Sequence, residues 1–197
     1  MSADITAIRA IRNRYDETLQ KMRGKSVLGF HIENHPLLWN LTALAAHRAA
    51  TASGVADIVL GNLSAPHALR INNKVFVGMA DYPDEYNPNE FELWMTCQNT
   101  PTASDPIPLT DYLDLRIGTP ATYAVVTAFV LRCVGTVGAV QLQYVEDDLN
   151  ADAGERKVAQ AWVRVTDTGE VLDLFARATG RSSESGNPNA IVRSLNF

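Results

Sequence analysis

The sequence predicts an α+β protein in which two N-terminal helices pack on a mainly antiparallel β-sheet. Apolar residues in roughly the first quarter of the chain recur at steps of three and four, which is the helical period. From residue 122 to residue 179, alternating and β-branched segments are separated by short turn sequences, which is typical of an antiparallel meander. Helices followed by strands is the order expected of an α+β domain.

The first helix is predicted at residues 3–23. Ser2 offers an N-cap and Gly24 a stop, as helix ends require. Ile11 falls outside the apolar stripe and arginines flank it, so we expect one packed side and one solvated side. The stripe consists of Ile5, Ile8, Arg12, Tyr15, Leu19 and Met22.

The second helix is predicted at residues 36–53. Pro36 suits a first helical turn, and leucines and alanines then recur on one side until Ser53-Gly54. Between the two helices, residues 25–34 alternate for too short a distance to separate a strand from an extended connector.

In the middle of the chain the sequence pattern predicts strands and loops rather than helices. Two strand pieces are predicted in residues 68–79 around Asn72-Asn73, whose tolerance of positive φ suits a tight turn. Another strand is predicted at residues 91–98. The segments 81–89 and 100–108 are rich in Pro, Asp and Asn, which predicts loops.

The last part of the domain is predicted to be a four-strand meander. Gly135 to Gly138 reads as a turn, residues 147–155 as an acidic loop, and Asp167-Thr168-Gly169 as a three-residue hairpin loop with a left-handed glycine. Alanines on the inner face of the last hairpin leave room for the two early helices. The strands are expected at residues 123–134, 140–146, 157–166 and 170–179.

Length and composition indicate one domain, residues 1–181, followed by a C-terminal arm, residues 182–197. The 197 residues are 46% apolar and carry a net charge of -5, so direct nucleic-acid binding is not expected. No signal peptide or membrane span is evident. Cys97 and Cys133 lie in apolar runs, which suggests buried free thiols in a reducing, cytoplasmic compartment.

Charge is unevenly distributed along the chain. Residues 1–25 carry six basic side chains, whereas no Lys or Arg occurs between Lys74 and Arg116, a stretch with many acidic residues. Two such regions fit a head-to-tail interface between subunits. An ordinary solvated surface explains the pattern equally simply.

No motif identifies a reaction. His31, Glu33 and His35 have the wrong spacing for a zinc-protease helix, and the acidic loop at residues 81–90 lacks the spacing and central glycine of a calcium loop. No serine lies in a Gly-x-Ser-x-Gly turn. We therefore predict no catalytic, cofactor-binding or metal-binding residue.

The C-terminal arm motivates the functional hypothesis. It has no periodicity yet ends in apolar residues, and such a segment is disordered unless something holds it. We expect a neighbouring subunit to do so in a structural, homo-oligomeric assembly, most plausibly a capsid, neck or tail component of a virus or phage particle. Its partners would be copies of itself and other virion proteins. The expected assembly contacts are Ile191, Val192, Leu195, Phe197, Tyr82, Tyr86, Arg9 and Arg12.

Two alternatives stay open. One is a small-molecule enzyme or binding protein with a pocket between helices and a curved sheet, for which convergent polar groups are expected among His31, Glu33, Tyr123 and Asp173. The other is a regulatory interaction module with one exposed apolar patch.

Overall fold

The second half of the chain forms a four-stranded antiparallel sheet, and helices cover one of its faces, which confirms the predicted α+β class. The computed structural model describes residues 2–64, 70–71, 74–75, 101–102, 104–135, 137–150, 155–183, 185, 187 and 190–197. The helices are α1 Ser2–Met22, α2 Pro36–Arg48, α3 Ala52–Leu60, α4 Leu109–Asp114, α5 Pro120–Val134 and α6 Leu174–Thr179. The strands are β1 Ser26–Val27, β2 Phe30–His31, β3 Arg70–Ile71, β4 Lys74–Val75, β5 Ile107–Pro108, β6 Val140–Asn150, β7 Glu155–Val165, β8 Val171–Leu172 and β9 Arg193–Asn196.

The main sheet has the strand order β8-β7-β6-β9. Its centre is the long hairpin of β6 and β7, whose register runs from Val140 opposite Val165 to Asn150 opposite Glu155 with two irregularities. A smaller sheet joins β1, β2 and β5, with β2 and β5 parallel, and β3 pairs with β4. The short antiparallel pair of β1 and β2 resolves the open question about residues 25–34 in favour of strand structure.

Helix α5 occupies the middle of the core, and the prediction of a strand at residues 123–134 is wrong. Thr119 caps the helix through its Oγ1, which accepts from the Thr122 amide at 3.1 Å, and Pro120 begins it. Gly135 ends it with a φ of 73°, the left-handed geometry typical of a helix C-terminus. Nearly every side chain of α5 is buried, so the helix has no polar face, and its β-branched composition resembles that of a buried strand.

The layers of the domain are arranged around α5. This helix packs across β7 and, less extensively, on β6, while α1, α2 and α3 pack on α5. The expectation that the two early helices cover the sheet directly is therefore corrected, because α5 lies between them and the strands. Val125, Phe129 and Val130 have no solvent exposure, so the inner face of the sheet is filled by side chains.

The predicted second helix is in fact two helices. Helix α2 ends at Arg48, and Thr51 begins α3 by accepting the Gly54 amide at its Oγ1 over 3.1 Å. The Ser53-Gly54 pair, predicted as a stop, lies in the first turn of α3. A threonine N-cap explains the new start, since its hydroxyl satisfies an amide that has no partner within the helix.

The C-terminal part of the meander also differs from the prediction. Strand β6 continues to Asn150 and β7 begins at Glu155, so residues 147–150 and 155 of the expected loop are strand. Only Val171–Leu172 of the strand predicted at 170–179 is a strand. Asp173 caps α6 by accepting the Ala176 amide at 3.0 Å. The left-handed glycine of the preceding hairpin is confirmed, because Gly169 has a φ of 73°.

Helix α1 is confirmed, but its packed face is rotated from the predicted stripe. Tyr15 and Thr18 are buried and Met22 is half-buried, whereas Ile5 and Ile8 are exposed. The first two turns of α1 therefore present their apolar side chains to solvent. The predicted strand at residues 91–98 and the loop at 81–89 lie outside the described residues.

Candidate functional site

The exposed large apolar side chains of the described residues concentrate near the two ends of the chain. Six such residues are exposed, and only Val171 lies far from both ends in sequence. Ile191 is the most exposed, at 81%, and Ile8 is 57% exposed. The other three are Ile5, Val192 and Leu195.

The N-terminal group borders an apolar groove between α1 and α2. The groove has a volume of about 630 Å³ and is open on one side. Two of the residues that line it on α2 are alanines, whose short side chains leave space beside Trp39 unfilled. The lining residues are Ala7, Ile8, Ile11, Trp39, Ala43, Ala46 and His47.

Trp39, which lines this groove, is contacted by Arg12. The Arg12 guanidinium carbon lies 5.0 Å from the Trp39 ring centroid and 5.4 Å from that of Tyr15, within the range of a cation–π contact. Arg12 also pairs with Asp16 at 3.0 Å. Sequence analysis predicted Arg12 as an assembly contact, and the structure places it beside Trp39, which the sequence did not single out.

The C-terminal group belongs to the edge strand β9. This strand pairs antiparallel with β6, from Tyr144 opposite Arg193 to Gln141 opposite Asn196. The Arg193 Nε lies 3.0 Å from the Glu146 carboxylate. The side of β9 that faces away from β6 has no neighbouring strand among the described elements.

Phe197 anchors the strand in the chain's own core. Its ring is 7% exposed, its amide donates to the Val140 carbonyl at 3.2 Å, and its carbonyl accepts from Arg132 at 2.7 Å. Of the predicted assembly contacts, Phe197 is thus already buried within the chain. The order of residues 193–197, which suggested a neighbouring subunit, is accounted for by the chain's own sheet.

The remaining predicted contacts divide into three groups. Ile191, Val192 and Leu195 are exposed as the interface hypothesis requires. Arg9 is exposed on α1. Tyr82 and Tyr86 lie outside the described residues.

The polar residues proposed for a small-molecule pocket have local structural roles. Tyr123 donates its hydroxyl to the Leu63 carbonyl at 2.9 Å, and Asp173 caps α6. The His31 Nδ1 lies 3.3 Å from the Lys25 carbonyl. Glu33 and His31 border an open groove of about 460 Å³ at the end of α1.

His35 also serves the fold. Its Nδ1 accepts from the Leu37 amide at 3.1 Å, which caps α2, and its Nε2 lies 2.9 Å from the Asp114 carboxylate. His35 therefore joins the start of α2 to the end of α4. The predicted second helix begins at Pro36, and the structure shows that His35 is its N-cap.

Burial changes the acidity of three side chains in the core. Burial raises the pKa of Tyr15 and of Tyr123 to about 12, and it raises the pKa of the Cys133 thiol to about 12. All three side chains stay neutral at physiological pH, since desolvation disfavours their anions. A thiol in this state is a poor nucleophile, which suits Cys133 to a packing role in α5.

The described ranges contain neither a metal-binding cluster nor a membrane-spanning helix. No group of three or more His, Cys, Asp or Glu side chains there is arranged to hold a metal ion. None of the helices in those ranges combines the length and apolar character needed to cross a bilayer. Comparison of the chain with protein-family models, curated proteins and solved structures finds no match.

Proposed function

We propose that this chain is a structural subunit of a homo-oligomeric assembly, and more specifically a capsid, neck or tail component of a virus or phage particle. The observation that carries the proposal is the concentration of exposed apolar side chains near both ends of the chain. Single exposed apolar residues are common on monomeric proteins. Clusters of them mark surfaces that a partner covers.

The N-terminal cluster has the composition of an interface centre. Ile8 lines the groove beside the half-buried Trp39, and Ile5 precedes Ile8 by one helical turn. Arg12 lies against the Trp39 ring. Tryptophan and arginine are enriched among the interface residues that contribute most of the binding energy. This groove is therefore suited to bind an apolar side chain of a neighbouring copy.

The C-terminal cluster supplies a second group of exposed apolar side chains. Ile191 and Val192 precede β9, and Leu195 lies within it. An assembly that grows beyond a dimer needs two contact surfaces on each subunit. Two clusters at the two ends of the chain meet this requirement.

The small-molecule alternative has less support. The side chains of α5 occupy the space between helices and sheet, where that hypothesis needs a pocket. Tyr123 and Asp173 are engaged in hydrogen bonds of the fold. We therefore favour assembly.

The test is the oligomeric state of the full chain, measured by mass photometry and by light scattering at micromolar concentration. The wild type is expected to self-associate, and the double variant Ile5→Ser/Ile8→Ser to do so more weakly. Val171→Ser is the matched control, because Val171 is also exposed but lies far from both ends. A wild type that stays monomeric at every concentration, or a control that weakens association as much as the double variant, contradicts the proposal.

The particle assignment needs a separate measurement. Mass spectrometry of gradient-purified particles from cells that express the chain is expected to find it at a fixed ratio to the major particle proteins. Its absence from the particles would leave the self-association result in place and overturn the virion assignment.

A further inference from the structure

We propose that β9 pairs antiparallel with β9 of a second copy, with the two Ser194 residues opposite each other, so that two four-stranded sheets become one sheet of eight strands. This inference rests on the proposed function, because it names the partner and the register of one of the two contact surfaces. It follows from the backbone geometry of β9.

The hydrogen-bonding groups of β9 alternate between its two sides. The Phe197 amide donates to the Val140 carbonyl, so Phe197 directs its backbone groups toward β6. In an antiparallel pair, residues two apart point the same way. Arg193 and Leu195 therefore also face β6, while the backbone groups of Val192, Ser194 and Asn196 face away from the sheet.

Symmetry restricts the pairing to few registers. Two antiparallel edge strands in one continuous sheet are related by a two-fold axis perpendicular to that sheet, so a residue must face its own copy at the centre. If the axis passes between the two Ser194 residues, Val192 of each copy pairs with Asn196 of the other. All three outward-facing residues of each copy then take part, and six backbone hydrogen bonds form. A centre at Leu195 pairs only Ser194 with Asn196 and makes four. The first register uses every outward-facing group.

The side chains are compatible with the Ser194 register. Ile191, which is 81% exposed, comes to lie opposite Phe197 of the second copy, at the margin of the core in which that Phe197 is buried. Leu195 lies opposite Arg193, and no like charges face each other directly. This match of the edge to itself is the reason for choosing a second copy as the occupant.

Strand β9 has few of the features by which proteins prevent an exposed edge strand from pairing with another chain. Proteins protect exposed edges with lysine, proline or unpaired charge, and residues 190–197 contain neither lysine nor proline. The one charged side chain of β9, Arg193, is paired with Glu146 at 3.0 Å. Among the described elements β9 has its extensive contacts with β6, and α5 packs mainly over β7. Residues 191–196 are all exposed.

Cysteine scanning tests the register in the full chain. In a Cys97→Ser background, with Cys133 buried in α5, Ser194→Cys is expected to form a disulfide-linked dimer under mild oxidation. The paired Cα atoms would lie about 5.5 Å apart, within the range of a disulfide. Asn196→Cys is the matched control on the same face: its copies would be about 13 Å apart along the strands and should not link.

A proline substitution tests the hydrogen bonds. Ser194→Pro removes an amide that faces away from β6, which an edge strand tolerates, so the monomer is expected to keep its far-ultraviolet spectrum. The two symmetry-related bonds at the centre are lost, and the dissociation constant of the dimer should rise roughly 10- to 100-fold. Ser194→Ala keeps the amide and should leave the dissociation constant unchanged.

The outcomes separate this inference from the proposed function. A wild type that is monomeric overturns both. An assembly that resists Ser194→Pro, or that links through Asn196→Cys or Leu195→Cys rather than Ser194→Cys, overturns the β9 pairing and leaves self-association standing. Linking at Ser194 together with weakening by Ser194→Pro supports both.

Discussion

Replacing Tyr123 by phenylalanine removes one buried hydrogen bond and little else. Tyr123 stands in the first turn of α5, is 1% exposed, and donates its hydroxyl to the Leu63 carbonyl at 2.9 Å. That bond joins α5 to the chain that leaves α3. A Cβ at Gly118 would overlap the Tyr123 ring, so the ring is held closely and phenylalanine should occupy the same position.

The expected cost follows from the carbonyl that loses its partner. Leu63 is 4% exposed, so water has poor access to its carbonyl oxygen. A buried acceptor without a partner costs about 1–3 kcal/mol, and the removal of the phenol's own desolvation penalty offsets part of this. We expect Tyr123→Phe to lower the free energy of unfolding by about 1–2 kcal/mol, which lowers the melting temperature by roughly 3–6 °C for a chain of this size.

Urea unfolding followed by circular dichroism measures the change directly. Tyr144→Phe is the matched control, since Tyr144 is a half-buried tyrosine of β6, outside α5. The control is expected to change stability by less than about 0.5 kcal/mol. Equal effects of the two variants, or no effect of Tyr123→Phe, would show that the Leu63 bond does not contribute to stability as argued.

Three further predictions concern the core and the attachment of α1. Arg14 donates to the Cys133 and Val134 carbonyls at 2.7 and 3.0 Å. Arg14→Met should lower the free energy of unfolding, measured by chemical denaturation, by about 1–2 kcal/mol, and Arg14→Lys should lower it less because lysine keeps the charge. Equal losses for the two variants would argue against the two-bond contact. Within the described residues the buried Thr127 hydroxyl has no partner, so Thr127→Val should raise the free energy of unfolding by about 1 kcal/mol; a loss in the same assay would indicate an unseen partner. Since burial raises the pKa of Tyr15 and Tyr123 from 10.0 to about 12, their neutral forms stabilise the fold fully below pH 10, and this contribution should fall between pH 10 and about 12. Absorbance at 295 nm should then show these phenols ionising together with unfolding, and ionisation near pH 10 in the folded protein would contradict the burial.

Sequence patterns predicted the elements that have one solvated side. Helix α1 shows a period because one of its faces is solvated, and β6 and β7 show one because their inner face packs on α5, although Trp162 on the other face is also buried. The Asp167-Thr168-Gly169 turn was recognisable from its glycine. The α+β class followed from these elements. Long, half-buried segments carry the strongest pattern.

Helix α5 was missed because burial on all sides removes the pattern. Tyr123–Val134 is rich in valine, and without a polar face its period cannot be read. The helix ends were nevertheless visible in the sequence: Thr119-Pro120 is a cap followed by a first-turn proline, and Gly135 is a stop. Treating these three residues as one signal would have separated helix from strand.

The candidate surfaces were predictable only in part. The apolar residues of the C-terminal arm were recognised, but a short edge strand has no sequence signal that names its neighbour, and its pairing with β6 is a tertiary contact. The groove depends on where α2 crosses α1, which brings Trp39 beside Ile8 and Ile11. Helix packing of this kind is set by the whole core rather than by either segment.

The backbone groups of β9 alternate between its two sides, and this alternation explains both its order within the chain and its suitability for pairing with a second copy. Backbone groups on one side complete the chain's own sheet, and Phe197 fixes the strand in the core, so the strand is ordered before any partner arrives. The same order aligns the amides and carbonyls of Val192, Ser194 and Asn196 along the edge that no described strand covers. A preformed edge loses little further entropy on pairing, whereas a disordered arm would have to be ordered at that step. Because β9 is already ordered by the chain's own sheet, its pairing with a second copy would cost less entropy than the pairing of a disordered arm.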